Sequence, residues 1–458
     1  MSDPDDYAIA HVSREAGEAI FTRTGIGDPY KTGVPYPIFV ALVRGYPELF
    51  GGTVEGLADR FGFVARAADP RSDDADVRAG LPLGMHLVTD PLTRVPFVVS
   101  SCALCHAERV RWPGGEALVI GLGNRRVRIH AYDAAFVAVA GRATAEKVGR
   151  LAREAGLPEA YADALVGATL AALKERAVAR AELVARTKDG PPGRVATIDA
   201  FVPALRALSH RPIAYAPDVG WAKVPDVIGF AQRTTLSWDG SGAGPMDLLA
   251  VEADLAVGAR IAWFERHPLQ GPSLGAYLRQ PAPRPAFPGA IDPRRVARGH
   301  ALFDEHCAKC HGTYSGGRVD YEESIAMLGE VGTDPARAAA VTDSFAAAAS
   351  DPALTRGYTR VEHHDGYVPP VLTNVWMRAP YGHAGQWPSL AYLATPPAQR
   401  QVRYALASDI YDLTLVGFPV APGDAWRGDA AGFSVLGHPF LADLGTEAAS
   451  VIEYLKTL

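Results

Sequence analysis

The chain has no stretch approaching the ~20 apolar residues of a membrane-spanning helix, so no membrane span is expected. It has no excess of positive charge: a formal net charge of −6 over 458 residues argues against nucleic acid as a partner, which would call for a basic face. It shows no secretory leader, because Met1-Ser2-Asp3-Pro4-Asp5-Asp6 has neither a basic n-region nor an apolar h-region. It also has little cysteine, four residues in all, and none of them is spare.

Those four residues make two copies of one pattern, Cys102-Ala103-Leu104-Cys105-His106 and Cys307-Ala308-Lys309-Cys310-His311. C-x-x-C-H is the attachment signature of a c-type haem. On a helical turn, cysteines at i and i+3 share a face where their sulfurs can form thioethers with the two haem vinyl groups. The histidine that follows supplies one axial nitrogen. A zinc site would require the two distant C-x-x-C pairs to meet, and a redox dithiol needs one pair and no histidine. Neither alternative accounts for a histidine placed immediately after both pairs. Two covalently bound haem c groups are therefore expected, held by Cys102, Cys105, Cys307 and Cys310, with His106 and His311 as proximal iron ligands.

At this length the chain exceeds one ordinary hydrophobic core, so two haem domains with additional structure are expected. Hydrophobic residues at 48% and charged residues at 21% are ordinary for a globular protein. The 36 prolines and 46 glycines predict much irregular chain. Haem propionates would add negative charge, which makes a basic redox partner easier to accommodate than an acidic one. Haem attachment of this class takes place on the outer side of the cytoplasmic membrane. A periplasmic location is thus expected, although the given start does not read as a secretory leader.

A helical start is predicted around Ser13–Ile20, then turns, then an apolar segment at Ile38–Leu49. The aspartates of 69–76 lack the D-x-D-x-D-G order of a calcium loop and read as a solvated loop. Residues Ala117–Ile120 and Val127–Ile129 are expected to form a hairpin across Gly121–Gly123. Thr144 is a predicted helix N-cap and Pro158 suits position N1 of a longer helix. In that helix Ala162, Leu165, Val166, Leu170, Leu173 and Ala177 keep helical spacing, which reads as core packing. Proline-rich 281–288 looks like an interdomain linker. Asp292 and Pro293 restart a helix as N-cap and N1, with Val296, Gly299, Phe303, Cys307 and Cys310 along one face.

Residues 292–311 look like the opening of a cytochrome c domain. Further on, Pro369-Pro370-Val371-Leu372-Thr373-Asn374-Val375-Trp376 leads into Ala379-Pro380-Tyr381-Gly382-His383-Ala384-Gly385. This resembles a segment of the bacterial di-haem cytochrome c peroxidases and of the related di-haem rubber oxygenases. The closing stretches, Ile410-Tyr411-Asp412, Gly437-His438-Pro439-Phe440 and Val451–Lys456, are similar to the rubber-oxygenase-like branch. The likeness covers about 292–458 well, 81–130 and 221–244 partly, and little before 80. It implies a mainly α protein with two cytochrome c-like domains, extensive loops and few short strands. The expected division is an N-terminal region at 1–78, an N-terminal haem domain with an inserted helical hairpin at 79–290, and a C-terminal cytochrome c domain at 291–458.

The resemblance also places His438 where the peroxidases carry the sixth ligand of the second haem, ahead of Met377, Met327 and His383. His383 takes a position near the haem edge. For the first haem, His130 is a candidate distal group, although its surroundings read as those of a surface or hairpin histidine. Trp238 is a candidate electron relay between the haems. His363 and His364 read as a polar loop. The implied activity is that of a peroxidase-like oxidoreductase, with a reactive N-terminal haem, an electron-transferring C-terminal haem and a small redox protein as partner. Alternatives are an oxygenase that turns dioxygen on an apolar substrate and a pure electron carrier.

Overall fold

Ser13 opens the first helix, α1 (Arg14–Thr22), by accepting the Ala16 N–H at 3.0 Å, which satisfies one of the first-turn amides that have no partner within the helix. In the computed structural model, residues 9–66, 71–188, 190–244, 260–280 and 284–458 are described. The extreme start, part of the acidic loop (69–70), Asp189 and 281–283 of the proline-rich segment lie outside them. The apolar segment after the first turns becomes α2 (Tyr36–Gly45), buried continuously from Pro37 to Val43. A helix apolar on all sides has to lie inside, and α2 shares a core with Phe50, Leu57, Phe61 and Phe136.

β1 (Met85–Thr89) pairs antiparallel with β2 (Pro96–Ser100), and β2 leads straight into Cys102. The acidic loop is not simply solvated. Asp76 is largely buried, accepts the Leu87 N–H at 2.7 Å and faces His86 and Arg66, so its carboxylate pins the loop to β1.

The hairpin forms one strand earlier than expected: β3 (Ala107–Trp112) pairs with β4 (Gly115–Ile120) around Pro113-Gly114. Gly114 adopts φ +91, the positive value that a tight hairpin turn requires and that glycine reaches without strain. Val127 and Arg128 stay outside any strand, and Ile129 begins α3 (Ile129–Ala140). Thr144 caps α4 (Ala145–Glu154) as its position predicts, accepting from Lys147 N. Pro158 proves to be the N-cap of α5 (Glu159–Thr187) rather than N1, its ψ of 131 lying outside helical space. Ala162, Val166, Leu170 and Leu173 are buried along α5, which packs on α3 and α4.

Three further helices frame the two cysteine motifs. They are α6 (Gln270–Arg279), α7 (Pro293–His306) and α8 (Ala448–Leu455). Asp292 caps α7 through Arg294 N at 2.9 Å, with Pro293 at N1, as expected. α1 crosses α6, and α7 crosses α8, at matching residues. Gly17 lies against Ser273 and Tyr277, and Gly299 lies against Ser450 and Tyr454; a Cβ at either glycine would overlap the facing serine carbonyl. Phe21 meets Tyr277 with ring centroids 5.3 Å apart, and Phe303 meets Tyr454 at the same distance. The sequence repeats along with the geometry: Gly-Glu-Ala-Ile-Phe (17–21) and Gly-His-Ala-Leu-Phe (299–303) face Ser-Leu-Gly-Ala-Tyr-Leu-Arg (273–279) and Ser-Val-Ile-Glu-Tyr-Leu-Lys (450–456). α1 therefore packs with the turn that carries Cys102, although some eighty residues separate them in sequence. The fold is mostly helical, with small antiparallel sheets.

Candidate functional site

α7 ends at His306, and a single turn, Ala308–His311, carries the rest of the second motif. The N–H groups of Cys310 and His311 return to the Cys307 carbonyl at 3.1 and 3.0 Å, which winds both cysteines onto one face. The His311 ring turns inward, and its Nδ1 donates to the Pro370 carbonyl at 2.8 Å. That bond fixes the tautomer and leaves the Nε2 lone pair for a metal, the arrangement in which ligating histidines are usually held.

Cys307, Cys310, His311 and His438 line one cavity of about 380 Å³, within the ~300–1,000 Å³ of cofactor pockets. The rings of His311 and His438 face each other across it with centroids 6.2 Å apart. Two imidazoles bound to one metal from opposite sides, each nitrogen ~2 Å from it, would have centroids roughly 6.3 Å apart. Gly437 and His438 both take positive φ, +83 and +47. The His438 N–H donates to Val331 O at 2.7 Å. Arg400 grips the carbonyls of Val435, Gly437 and His438, so this strained loop is held in place from three sides. Burial, reinforced by His311, pushes the His438 imidazole down to about 3, and burial likewise lowers His311. Burial thus favours the neutral form of both rings, the form that ligation requires.

The other candidates fall into distinct places. His383 lines the same cavity, stacks on Tyr367 at 4.2 Å and keeps a buried Nε2 without a partner. Trp238 also lines the cavity and donates Nε1–H to Lys223 O at 3.2 Å. Met327 is half exposed and Met377 is packed in the core. Neither methionine lines the cavity. His363 bonds Val341 O and Asp365, as a loop residue would.

At the first motif, Cys102–Leu104 forms a tight turn with the His106 N–H returning to Cys102 O at 2.9 Å. His106 repeats the support of its counterpart: Nδ1 donates to the Pro225 carbonyl at 2.9 Å, and burial lowers its basicity. The ring beside it is Phe21, 6.1 Å away, so the described residues give His106 no histidine partner of the kind His311 has. His130 is neither a free surface residue nor part of a hairpin. It lies on the first turn of α3, accepts the Ala196 N–H at 3.0 Å and meets Trp221 edge-on at 5.4 Å.

All four cysteines are free thiols. Burial pushes Cys105 up to about 12 and Cys307 up to about 11, opposite to the lowered values of reactive redox dithiols. Among the described residues no group of three or more His, Cys, Asp or Glu side chains could share a metal ion, so the two C-x-x-C pairs do not converge into a zinc site. A haem asks for at most two protein nitrogens at its iron, and it is two, His311 and His438, that face each other.

Sequence reasoning missed the groups that support these histidines. The carbonyls of Pro225 and Pro370 have no side-chain signature, although Val-Pro precedes or contains both positions (Val224-Pro225 and Val368-Pro369-Pro370). Buried Lys223 lines the cavity and donates to the carbonyls of Arg378 and Pro380 at 2.7 and 3.0 Å, and burial pushes it down to about 7. Arg378 lines the cavity too.

No family model matches the chain. It is similar to two proteins of Sinorhizobium fredii (strain NBRC 101917 / NGR234). "Uncharacterized protein y4iM" is 28% identical over 230 residues, covering 43% of this chain and 50% of that protein. "Uncharacterized protein y4iJ" is 24% identical over 242 residues, covering 37% and 40%. The chain thus spans half or less of the length of the curated relatives it matches.

Proposed function

We propose that the chain is a di-haem c-type cytochrome with two cytochrome c-like domains, acting as a peroxidase-like oxidoreductase. The observation that carries this reading is the pair His311 and His438, 6.2 Å apart across a cavity that Cys307 and Cys310 also line. The repeat of α1 with α6 and α7 with α8, each beside a C-x-x-C-H turn whose histidine bonds a proline carbonyl, supports one haem per unit. Cys102 and Cys105 would hold the first group with His106 at its iron, and Cys307 and Cys310 the second, with His311 and His438. Bound haem would supply an iron that exchanges single electrons and can react with a small oxygen species.

The residues divide these tasks. His311 and His438 would together hold the second iron, which suits that site to passing electrons. At the first site no second histidine ring lies against His106 among the described residues, and an iron held there by His106 alone would be the one to take substrate. Reduction of peroxide to two waters consumes two electrons and two protons, the electrons arriving one at a time from a small, preferably basic, redox protein. Covalent haem attachment of this class would go with a periplasmic location. Among the described residues no helix is long and apolar enough to cross a membrane.

Optical and electron-paramagnetic spectra of the purified protein test the division: one low-spin and one high-spin iron are expected. Two low-spin signals that persist after partial reduction would refute an open site. Consumption of peroxide with a reduced small cytochrome, compared with consumption of dioxygen with an unsaturated hydrocarbon, separates peroxidase from oxygenase.

A further inference from the structure

The two proximal histidines are joined by one short chain of bonds. His106 Nδ1 donates to the Pro225 carbonyl at 2.9 Å. The next residue, Asp226, accepts from Arg378 Nε at 2.9 Å. Arg378 reaches on with its terminal nitrogen to the Val371 carbonyl, and the residue before Val371 is Pro370, whose carbonyl accepts from His311 Nδ1 at 2.8 Å. Asp226 and Arg378 are almost fully buried, with side-chain exposures of 2% and 7%. Asp226 also accepts the Ile228 N–H at 3.1 Å, and Lys223 donates to the Arg378 carbonyl. A buried ion pair is weak evidence for stability, because desolvation offsets much of the attraction. Its position between the supports of two candidate metal ligands calls for another explanation.

Resting on the di-haem reading, we infer that the Asp226–Arg378 pair couples the two histidine sites and sets the direction in which an electron rests between them. The negative end adjoins the peptide that holds His106, and the positive end adjoins the peptide that holds His311. A carboxylate beside the first site opposes its reduction, and a guanidinium beside the second favours it. The electron therefore rests on the His311 side and moves to the His106 side only when chemistry there draws it. In that transfer the second iron loses one electron and the first gains it, and no proton or atom changes place. Burial alone would raise the Asp226 carboxyl, but Arg378 and Lys223 hold it below its ordinary value, so the charge is present at neutral pH. Asp226 and Arg378 are positioning residues, since neither would touch the iron.

The test is a potentiometric titration of the haem-loaded protein, followed optically, for wild type, Asp226→Asn, Arg378→Gln, Arg378→Lys and the double variant Asp226→Asn/Arg378→Gln. Haem content is measured first on each protein. A wild type without two haems per chain would overturn the di-haem reading itself, and the coupling with it. With two haems present, Asp226→Asn should raise the potential of the first site and Arg378→Gln should lower that of the second. Each should shift electron sharing between the sites by about tenfold, the scale of a unit charge at close range inside a protein. Arg378→Lys should keep most of the wild-type separation. The double variant removes both members of the pair together, so neither Asp226 nor Arg378 is left without the other; it gives a readable result even where a single variant fails to hold haem, and it should also narrow the separation. Haem-loaded variants whose separation between the two potentials equals that of wild type would overturn the coupling while leaving the di-haem reading intact.

Discussion

Replacing Gly299 with alanine should loosen the second site through its helix crossing, and Gly17→Ala should do the same to the first. A methyl group on Gly299 would lie 2.5 Å from the Ser450 carbonyl carbon and 3.0 Å from Tyr454 Cβ; one on Gly17 would lie 2.7 Å from the Ser273 carbonyl carbon and 2.8 Å from Tyr277 Cβ. Ordinary contact begins near 3.4 Å, so each helix pair would have to part by on the order of 1 Å. The obstacle is backbone rather than a flexible side-chain tip, so little local relaxation is available. Overpacking of this kind costs about 1–3 kcal/mol, occasionally more. At the second crossing α8 supplies Val451 and Leu455 to the cavity wall, so the separation should also disturb the low-spin spectrum of that site. Urea denaturation at neutral pH, with near-ultraviolet circular dichroism as the readout, gives the cost. Two variants destabilised by comparable amounts are expected, with the second-site spectrum altered only in Gly299→Ala. A Gly299→Ala protein within 0.5 kcal/mol of wild type would refute the crossing as described.

His438→Ala should abolish the low-spin signal of the second site and leave the high-spin signal of the first unchanged, read by electron paramagnetic resonance; an unchanged spectrum would mean His438 is not the sixth ligand. His130, pushed down to about 4 by burial from an ordinary 6.5, stays neutral in the fold while the unfolded chain takes up a proton, so stability should fall as pH drops from 6.5 to 4. Its share is at most about 3 kcal/mol, and His130→Gln should flatten that part of the pH dependence in paired denaturation curves at pH 7 and 4.5. Trp238→Phe removes the hydrogen bond to Lys223 O and should cost about 0.5–1.5 kcal/mol. If Trp238 also relays electrons, the same variant should slow inter-site transfer in flash photolysis without changing haem content.

Features written in local chemistry were legible in the sequence. The caps at Thr144 and Asp292 announce their helices, and C-x-x-C-H announces both turns. The hairpin was misplaced because Gly121–Gly123 and Pro113-Gly114 both look like turns. What separates them is distant: a Cβ on Gly123 would strike the Val224 carbonyl, a contact that pairwise spacing cannot reveal. The repeat of Gly-x-x-x-Phe at 17–21 and 299–303, with Ser-x-x-x-Tyr-Leu at 273–278 and 450–455, was available and would have placed α1 beside the first motif. It is hidden by the long segment between Phe21 and Cys102, which lets one packing unit be assembled from distant pieces. The supports of His106 and His311 were not legible, since a proline carbonyl acts as an acceptor without any side-chain mark. Asp226 and Arg378 are far apart in sequence and look like any other charged residues until burial brings them together.

The central claim is that each cysteine pair carries a haem. The most direct measurement is the intact mass of the chain produced together with c-type maturation machinery, for wild type, Cys102→Ala/Cys105→Ala and Cys307→Ala/Cys310→Ala. The account predicts the bare chain plus two haems for wild type and plus one for each variant. A wild-type mass equal to that of the bare chain, with the machinery shown to load a control cytochrome, would contradict it.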